Sequence, residues 1–530
     1  MRYVFVWFVV LLAMFAGSLS GCATKAEPSP SEQQEPVLEL RTLSFTIDCE
    51  NYNKAVAEAV AQQLRELGVD VQVRVWGDWA VLKEALLNKE REMLMNDWGN
   101  STLDPYDLLN PKFETGGRGN YAHYSNPRVD DLLKKGATGT DAAEREKIYR
   151  EVQEILYDDA PWVFGYAMQE IEASRKTVQN WVPATDSRIN LHRVSLTEGD
   201  TLVVGIRATI ESLDPANHRN RIAETVIRNM FDGLVTRTPD GRVVPEIAES
   251  WEAISPTLWE FKIRKGITFH NGEPLTADDV KFTFDRIITE GGLGNGKSSP
   301  RKAGLLDPVT KVEKVDDYTV RFHLSAPWPI ILQMLVHQQI VPKDYVERVG
   351  SEEFARKPIG AGPFKFVEGK LDERVVMERY DGYYGGSPDI PVAGPAKIKR
   401  AIFEVIPETS TRVAALQSGQ AHIIQSVPPE LVPELDKDPN CEVKTVEGTR
   451  VYFLEMNVTR PPFDDVRVRQ AMNYAIDWDL IIEKVLGGYA TRLNGPLLPH
   501  GFARHTGLSP YPFDPDRARQ LLRDAGYRTE

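Results

Sequence analysis

Cysteine is nearly missing from this chain, with three in 530 residues, which excludes a small scaffold framed by disulfides. Histidine is also scarce. The nine residues are scattered, with no HExxH and no cysteine–histidine cluster, so a structural zinc site has no ligand set. Positive charge is in deficit: 63 Lys and Arg face 77 Asp and Glu, a formal net charge of −14. That balance disfavours nucleic acid as a partner, because phosphate binding needs a basic surface. The G-x-S-x-G elbow of serine hydrolases is absent. No pattern asks for a cofactor or a catalytic residue.

What is present is ordinary soluble composition, 42% hydrophobic and 26% charged. The length allows two or three lobes around sizeable cores. The first residues read as a targeting segment. Arg2 precedes an apolar run at 4–16, too short for a comfortable membrane span, and LSGC at 19–22 follows. LSGC has the pattern of a bacterial lipoprotein cleavage site, which implies lipidation at Cys22. Residues 23–36, rich in Pro, Ser, Glu and Gln, read as a flexible tether able to reach roughly 50 Å when stretched. Cys49 and Cys441 remain, and two independent buried thiols are expected.

Periodicity predicts alternating α/β texture. Val56, Val60, Leu64 and Leu67 form one helical stripe, and Gly68 stands where a left-handed C′ residue belongs. Val69, Val71, Val73 and Val75 then alternate as a strand. Asp78 and Asp141 are expected helix caps, and Thr276 with Asp279 forms an approximate capping box. Asp514, Pro515 and Gly526 delimit a last helix whose inward residues are Ala518, Leu521, Leu522 and Ala525. That amphipathic stripe needs a partner.

Several long stretches occur in an order that carries a resemblance. They are WEFKIRKGITFHNGEPLTADDVKFTF (259–284), IGAGPFKF (359–366), RYDGYYGG (379–386), ALQSGQAHII (415–424), PPFDDVRVRQAMNYAID (461–477) and FDPDRARQLLRDAGY (513–527). The amino-terminal part contributes DWGNSTLDPYDLLNP (97–111) and REKIYREVQEILYDDAPWV (145–163). Residues from about 200 to 530 resemble the opening two-thirds of the family 5 extracellular solute-binding proteins of ABC importers. Residues from about 38 to 194 resemble that family's closing third. INLHRVSL (189–196) looks like the family's last strand and TLVVGI (201–206) like its first, so the chain resembles a circular permutant.

The resemblance implies an α/β, two-lobed clamp like the periplasmic binding proteins, with an accessory α+β subdomain. One binding lobe combines 37–188 with 495–530, the other 189–240 with 396–494, and the accessory subdomain is 241–395. It further implies a peptide-like or other small polar ligand, ABC permease and ATPase partners, and attachment to the membrane by lipid on Cys22. The site falls between the lobes: Trp98, Gly99, Asn100, Ser101 and Asp104 on one wall, with Tyr52, and Ala208, Thr209, Ile210 and Glu211 on the other. Dipeptide and oligopeptide binders typically carry an Asp three residues after the tryptophan, where it meets the ligand's ammonium. Here that residue is Ser101, and Glu50 stands near where a basic residue is usual. Both departures argue against a free dipeptide and leave a modified peptide, an opine-like compound, an oligosaccharide or a metal chelate open. A receptor feeding a sensor is the alternative role. GGLGNGKS (291–298) fits the phosphate-loop expression, but no helical pattern follows it, so it reads as a glycine-rich loop.

Overall fold

The computed structural model describes residues 40–529, apart from 140, 303–304 and 391–393. The leader, Cys22 and the tether lie outside the described residues. Among those described, no helix is long and apolar enough to cross a membrane.

Local chemistry forms the elements where periodicity places them. The helix Lys54–Arg65 buries Val56, Val60 and Leu64, and Gly68 follows at φ 78°. Asp78 accepts the Ala80 N–H at 2.8 Å. Asp141 accepts the Glu144 N–H at 2.7 Å to start Ala142–Asp159. At Ala277–Ile288 the capping box is complete, Asp279 accepting the Thr276 N–H at 2.9 Å. Asp514 accepts the Arg517 N–H at 2.9 Å to open Pro515–Asp524.

Eleven of the described strands assemble into one mixed sheet. Its order runs Phe364–Lys370, Arg374–Arg379, Arg400–Val405, Thr201–Ile206, Ile423–Ile424, Trp162–Arg175, Cys441–Met456, Met93–Gly99, Ser44–Glu50 and Asp70–Trp76, with Ala490–Arg492 also paired to Trp162–Arg175. The two central strands, of 14 and 16 residues, pair antiparallel and belong to both halves of the sheet. Ser174 and Ala173 meet Ile423 and Ile424 in one half, whereas 450–456 pair with Met93–Gly99 in the other. Their register breaks between Glu447 and Val451. Gly448 sits in that break, where a Cβ would lie 2.6 Å from the Met168 carbonyl oxygen. This bulge interrupts the two long strands that run through both halves of the sheet.

Buried side chains group into separate cores. Phe463, Val468, Met472, Trp478 and Ile481 share a core with Phe45, Ile47, Val60, Leu521 and Leu522. The helices after the strand Cys441–Met456 cover the sheet half formed by Ser44–Glu50. The expected accessory subdomain, 241–395, supplies most of a separate core. That core surrounds the four-stranded sheet of Ala248–Ser255, Leu258–Ile263, Thr319–Leu324 and Val309–Asp316. Phe364, Val375 and Met377 pack instead with Thr201–Ile206 in the main body.

The last helix finds the partner that its stripe requires. Arg41 N–H donates to the Gly526 carbonyl at 3.0 Å, and Arg528 N–H donates to that of Arg41 at 2.8 Å. Burying Leu521 and Leu522 here contributes about 1.5–3 kcal/mol each.

Candidate functional site

Met93–Gly99 carries Trp98, paired with Val451 just beyond the bulge. The indole N–H donates to the Asp107 carbonyl at 3.0 Å, which fixes the ring's edge. Its faces meet two cations. The Arg118 guanidinium lies 4.8 Å from the ring centroid and the Lys112 ammonium 5.0 Å. Lys112 is fully buried, bonds Glu455 at 2.6 Å, and also faces Tyr121, Trp162 and Phe453. Gly119 admits the ring, since a Cβ there would come within 2.8 Å of Trp98 Cζ3. Trp98 is thus clamped in one orientation while remaining partly exposed.

Beside it, Asp97 pairs with Arg450 and accepts the Tyr52 hydroxyl at 2.6 Å. Burial and the Asp97 carboxylate push the Tyr52 phenol far above its ordinary range, so it stays a donor. The loop after Trp98 is held from two directions. Asn100 N–H donates to the Thr449 carbonyl at 2.7 Å, and Arg237 Nη1 donates to the Ser101 carbonyl at 2.9 Å. Arg237 belongs to the strand Val235–Arg237, outside the sheet half that carries Trp98.

Beyond this loop lies a cavity of about 360 Å³. Asp107, Asn110, Glu114 and Arg118 line one side, and Leu305, Asp307, Trp328, Ile330 and Met334 line the other, from the accessory subdomain. Its volume is within the range of about 300–1,000 Å³ usual for small-molecule sites. Asn110 is buried and its side-chain oxygen has no hydrogen-bond partner. Burial raises the Asp107 carboxyl, opposed by the Thr102 N–H and Arg118. The lining thus offers donors and acceptors of both charges against an apolar wall, suited to a zwitterionic or polar solute. Among the described residues, no group of three or more His, Cys, Asp or Glu is placed to hold a metal ion.

The profile described as "Bacterial extracellular solute-binding proteins, family 5 Middle" matches residues 25–120 and 242–530. The chain belongs to this family. The glutathione-binding protein GsiB of Pectobacterium atrosepticum is 30% identical over 61% of this chain and 61% of its own length. The match thus spans about three-fifths of that curated relative. HbpA2 from Haemophilus parasuis superposes with a TM-score of 0.52 at 26% identity, over 62% of this chain and 67% of that one. The substrate-binding protein CtaP from Listeria monocytogenes gives 0.50 at 26% identity, over 62% and 66%.

In this family 5 chain, the sequence-derived candidates fall into two groups. Tyr52, Trp98, Gly99 and Asn100 come together around Asp97 and Arg450, and Ser101 reaches across to Arg237. Asp104 does not face the cavity. Its two oxygens accept Arg145 at 2.8 and 3.0 Å and cap Tyr106 N–H at 3.0 Å, all while buried. On the second wall, Ile210 is buried with its N–H on the Leu371 carbonyl, and Glu211 accepts the Arg219 N–H at 3.1 Å. Ala208 packs partly buried against the neighbouring core. These bonds remain in their own lobe. Arg237 meets 98–104 from that direction through the Ser101 carbonyl, and Gly241 lies against Leu103. Sequence reasoning missed Arg237, Arg118, Arg450 and Lys112 because single basic residues in polar stretches carry no pattern. The glycine-rich 291–298 is a self-closed turn, with Gly291 N–H on Ser298 Oγ at 2.9 Å.

Proposed function

We propose that this chain is the lipid-anchored, extracytoplasmic solute-binding component of an ABC importer. It takes a peptide-like or other small polar solute into the cavity between Asp107–Arg118 and the 305–334 face, then presents it to a membrane permease driven by its ATPase. One observation carries this reading. Arg118, which lies over the clamped Trp98 ring, also lines the 360 Å³ cavity, and the loop that joins Trp98 to that lining is held by Arg237 through the Ser101 carbonyl. Ligand binding would favour the closed arrangement by the difference in its affinity for closed and open forms. Cys22 would carry the lipid, and 23–36 would tether the body to the bacterial membrane. Arg118 and Asn110 would contact cargo, with Trp98 backing the Arg118 guanidinium, while Asp104 would hold Arg145.

The order of the family motifs supports a circular permutation, as do the hydrogen bonds that join 41 to 526–528. The anchor would then hang from the lobe containing Trp98. The GsiB likeness makes glutathione the first candidate, and Ser101 in place of the ammonium-binding Asp favours peptides with a modified amino end. Uptake of labelled glutathione and of labelled dipeptides in a deletion strain tests the proposal. Loss of uptake of one of them, restored by the gene, is expected. Unchanged uptake of every candidate, with no shift in the protein's unfolding temperature, would overturn it.

A further inference from the structure

A second, smaller cavity lies behind Arg237, with a volume of about 40 Å³. A water needs only about 10–15 Å³ by a comparable measure, so a group of a few atoms fits. Four arginines line it, Arg188, Arg193, Arg228 and Arg237, against one carboxylate, Asp186. Arg188 pairs with Asp186, and Arg237 reaches the same Oδ2 at 3.4 Å, so their guanidiniums are neighbours. The Arg237 side chain is 1% exposed. Only its Nη1 is engaged, while Nε and Nη2 have no partner, and neither does Arg188 Nη1. Glu224 stands 4.0 Å from that last atom, beyond hydrogen-bond reach.

Buried charged donors left unmade are costly, and the cost falls when an acceptor arrives. A water would satisfy hydrogen bonds but not charge. Burial and the Arg188 charge pull the Arg237 guanidinium down to about 10, opposed by Asp186 and Glu224, and Glu246 stands 3.9 Å from Arg228, so the unfilled donors are the Arg237 Nε and Nη2 and the Arg188 Nη1. An arginine's fork matches the geometry of a carboxylate or an oxyanion.

We propose that the cavity beside Arg237 binds one small anionic group, a carboxylate or an inorganic oxyanion, through the free edges of Arg237 and Arg188. The group comes from a solute's carboxylate or from a free ion. Because Arg237 also holds the Ser101 carbonyl, an anion that fixes its guanidinium strengthens the contact across the cleft. The site is distinct from the 360 Å³ cavity and stands whether or not that cavity takes the solute.

Calorimetric titrations of the folded chain with sodium acetate, inorganic phosphate, N-acetyl-alanyl-alanine and its carboxy-terminal amide test the site. Binding of acetate or phosphate identifies a free ion. Binding of the peptide acid alone, and not the amide, identifies a solute carboxylate. In either case Arg237→Met weakens binding at least tenfold and Arg237→Lys retains part of it. Where Arg237→Met does not fold, Arg193→Met at the half-buried side of the cavity serves, with an expected loss of about threefold. The proposal is overturned if no anion binds the wild-type chain, or if the folded variants bind as the wild type does. A protein that takes up a neutral solute but none of these anions refutes this site and leaves solute capture standing.

Discussion

Replacing Lys112 with methionine removes the buried cation on which Trp98 rests. The Lys112 ammonium and the Glu455 carboxylate are 2.6 Å apart, with side chains 0% and 1% exposed. Burial pulls the lysine below its ordinary range, while the Glu455 carboxylate hydrogen-bonded to it acts to raise it. In the variant, Glu455 keeps one neutral donor, Asn96 Nδ2 at 2.8 Å, and its other oxygen already has no partner. Breaking such a pair costs about 3–5 kcal/mol, because a buried charge is left uncompensated. Replacing both members by apolar residues is close to neutral by the same reasoning. Urea unfolding followed by tryptophan fluorescence and circular dichroism gives both values. Lys112→Met should lose about 3–5 kcal/mol, and Lys112→Met with Glu455→Met should recover most of it. A single variant that loses under about 1 kcal/mol, or a double variant as unstable as the sum of its singles, would refute the reasoning.

Gly119→Ala should push the Trp98 ring off its position, since the new Cβ would meet it at 2.8 Å. A loss of about 1–3 kcal/mol with altered indole fluorescence is expected, and an unchanged emission spectrum would count against the clamp. His218 accepts Arg301 Nη1 at 2.8 Å, and burial together with the Arg301 charge lowers its imidazole to about 3. The unfolded chain therefore takes up a proton first as pH falls below about 6.5. The wild type should lose up to about 1.4 kcal/mol per pH unit relative to His218→Gln between that pH and about 3. Parallel stability curves for the two proteins would contradict this. Cys49 and Cys441 are free and buried, and burial raises both thiols to about 11. Neither should react with a thiol reagent in the native protein, and both should react in urea.

Most of the fold's local grammar was legible in the sequence. The caps at Asp78, Asp141, Thr276 and Asp514 are encoded within four residues of where they act, and the structure forms each one. The apolar faces of Lys54–Arg65 and Pro515–Asp524 were equally plain, because a helical stripe depends only on local spacing. Long-range packing was not legible. Whether Trp478 packs with Phe45 or with Leu202 depends on the path of the two long central strands, and nothing in 457–494 records that path. Site residues divided along the same line. Trp98 announced itself by motif, whereas Arg237 became a candidate only when Ser101 was seen across from it. Asp104 before Pro105 reads as a cap for the following turn, and it caps the Tyr106 N–H, whereas its ion-pair partner Arg145, 41 positions away, left no local signal.

The central claim is that the cleft beside Trp98 captures a small solute. Native mass spectrometry of the protein purified gently from its host tests it directly. The account predicts a non-covalent companion that departs on denaturation and rebinds to wild-type protein, but binds at least tenfold more weakly to Trp98→Ala. A chain that always carries only its own covalent mass, and takes up nothing when incubated with a host extract, would contradict it.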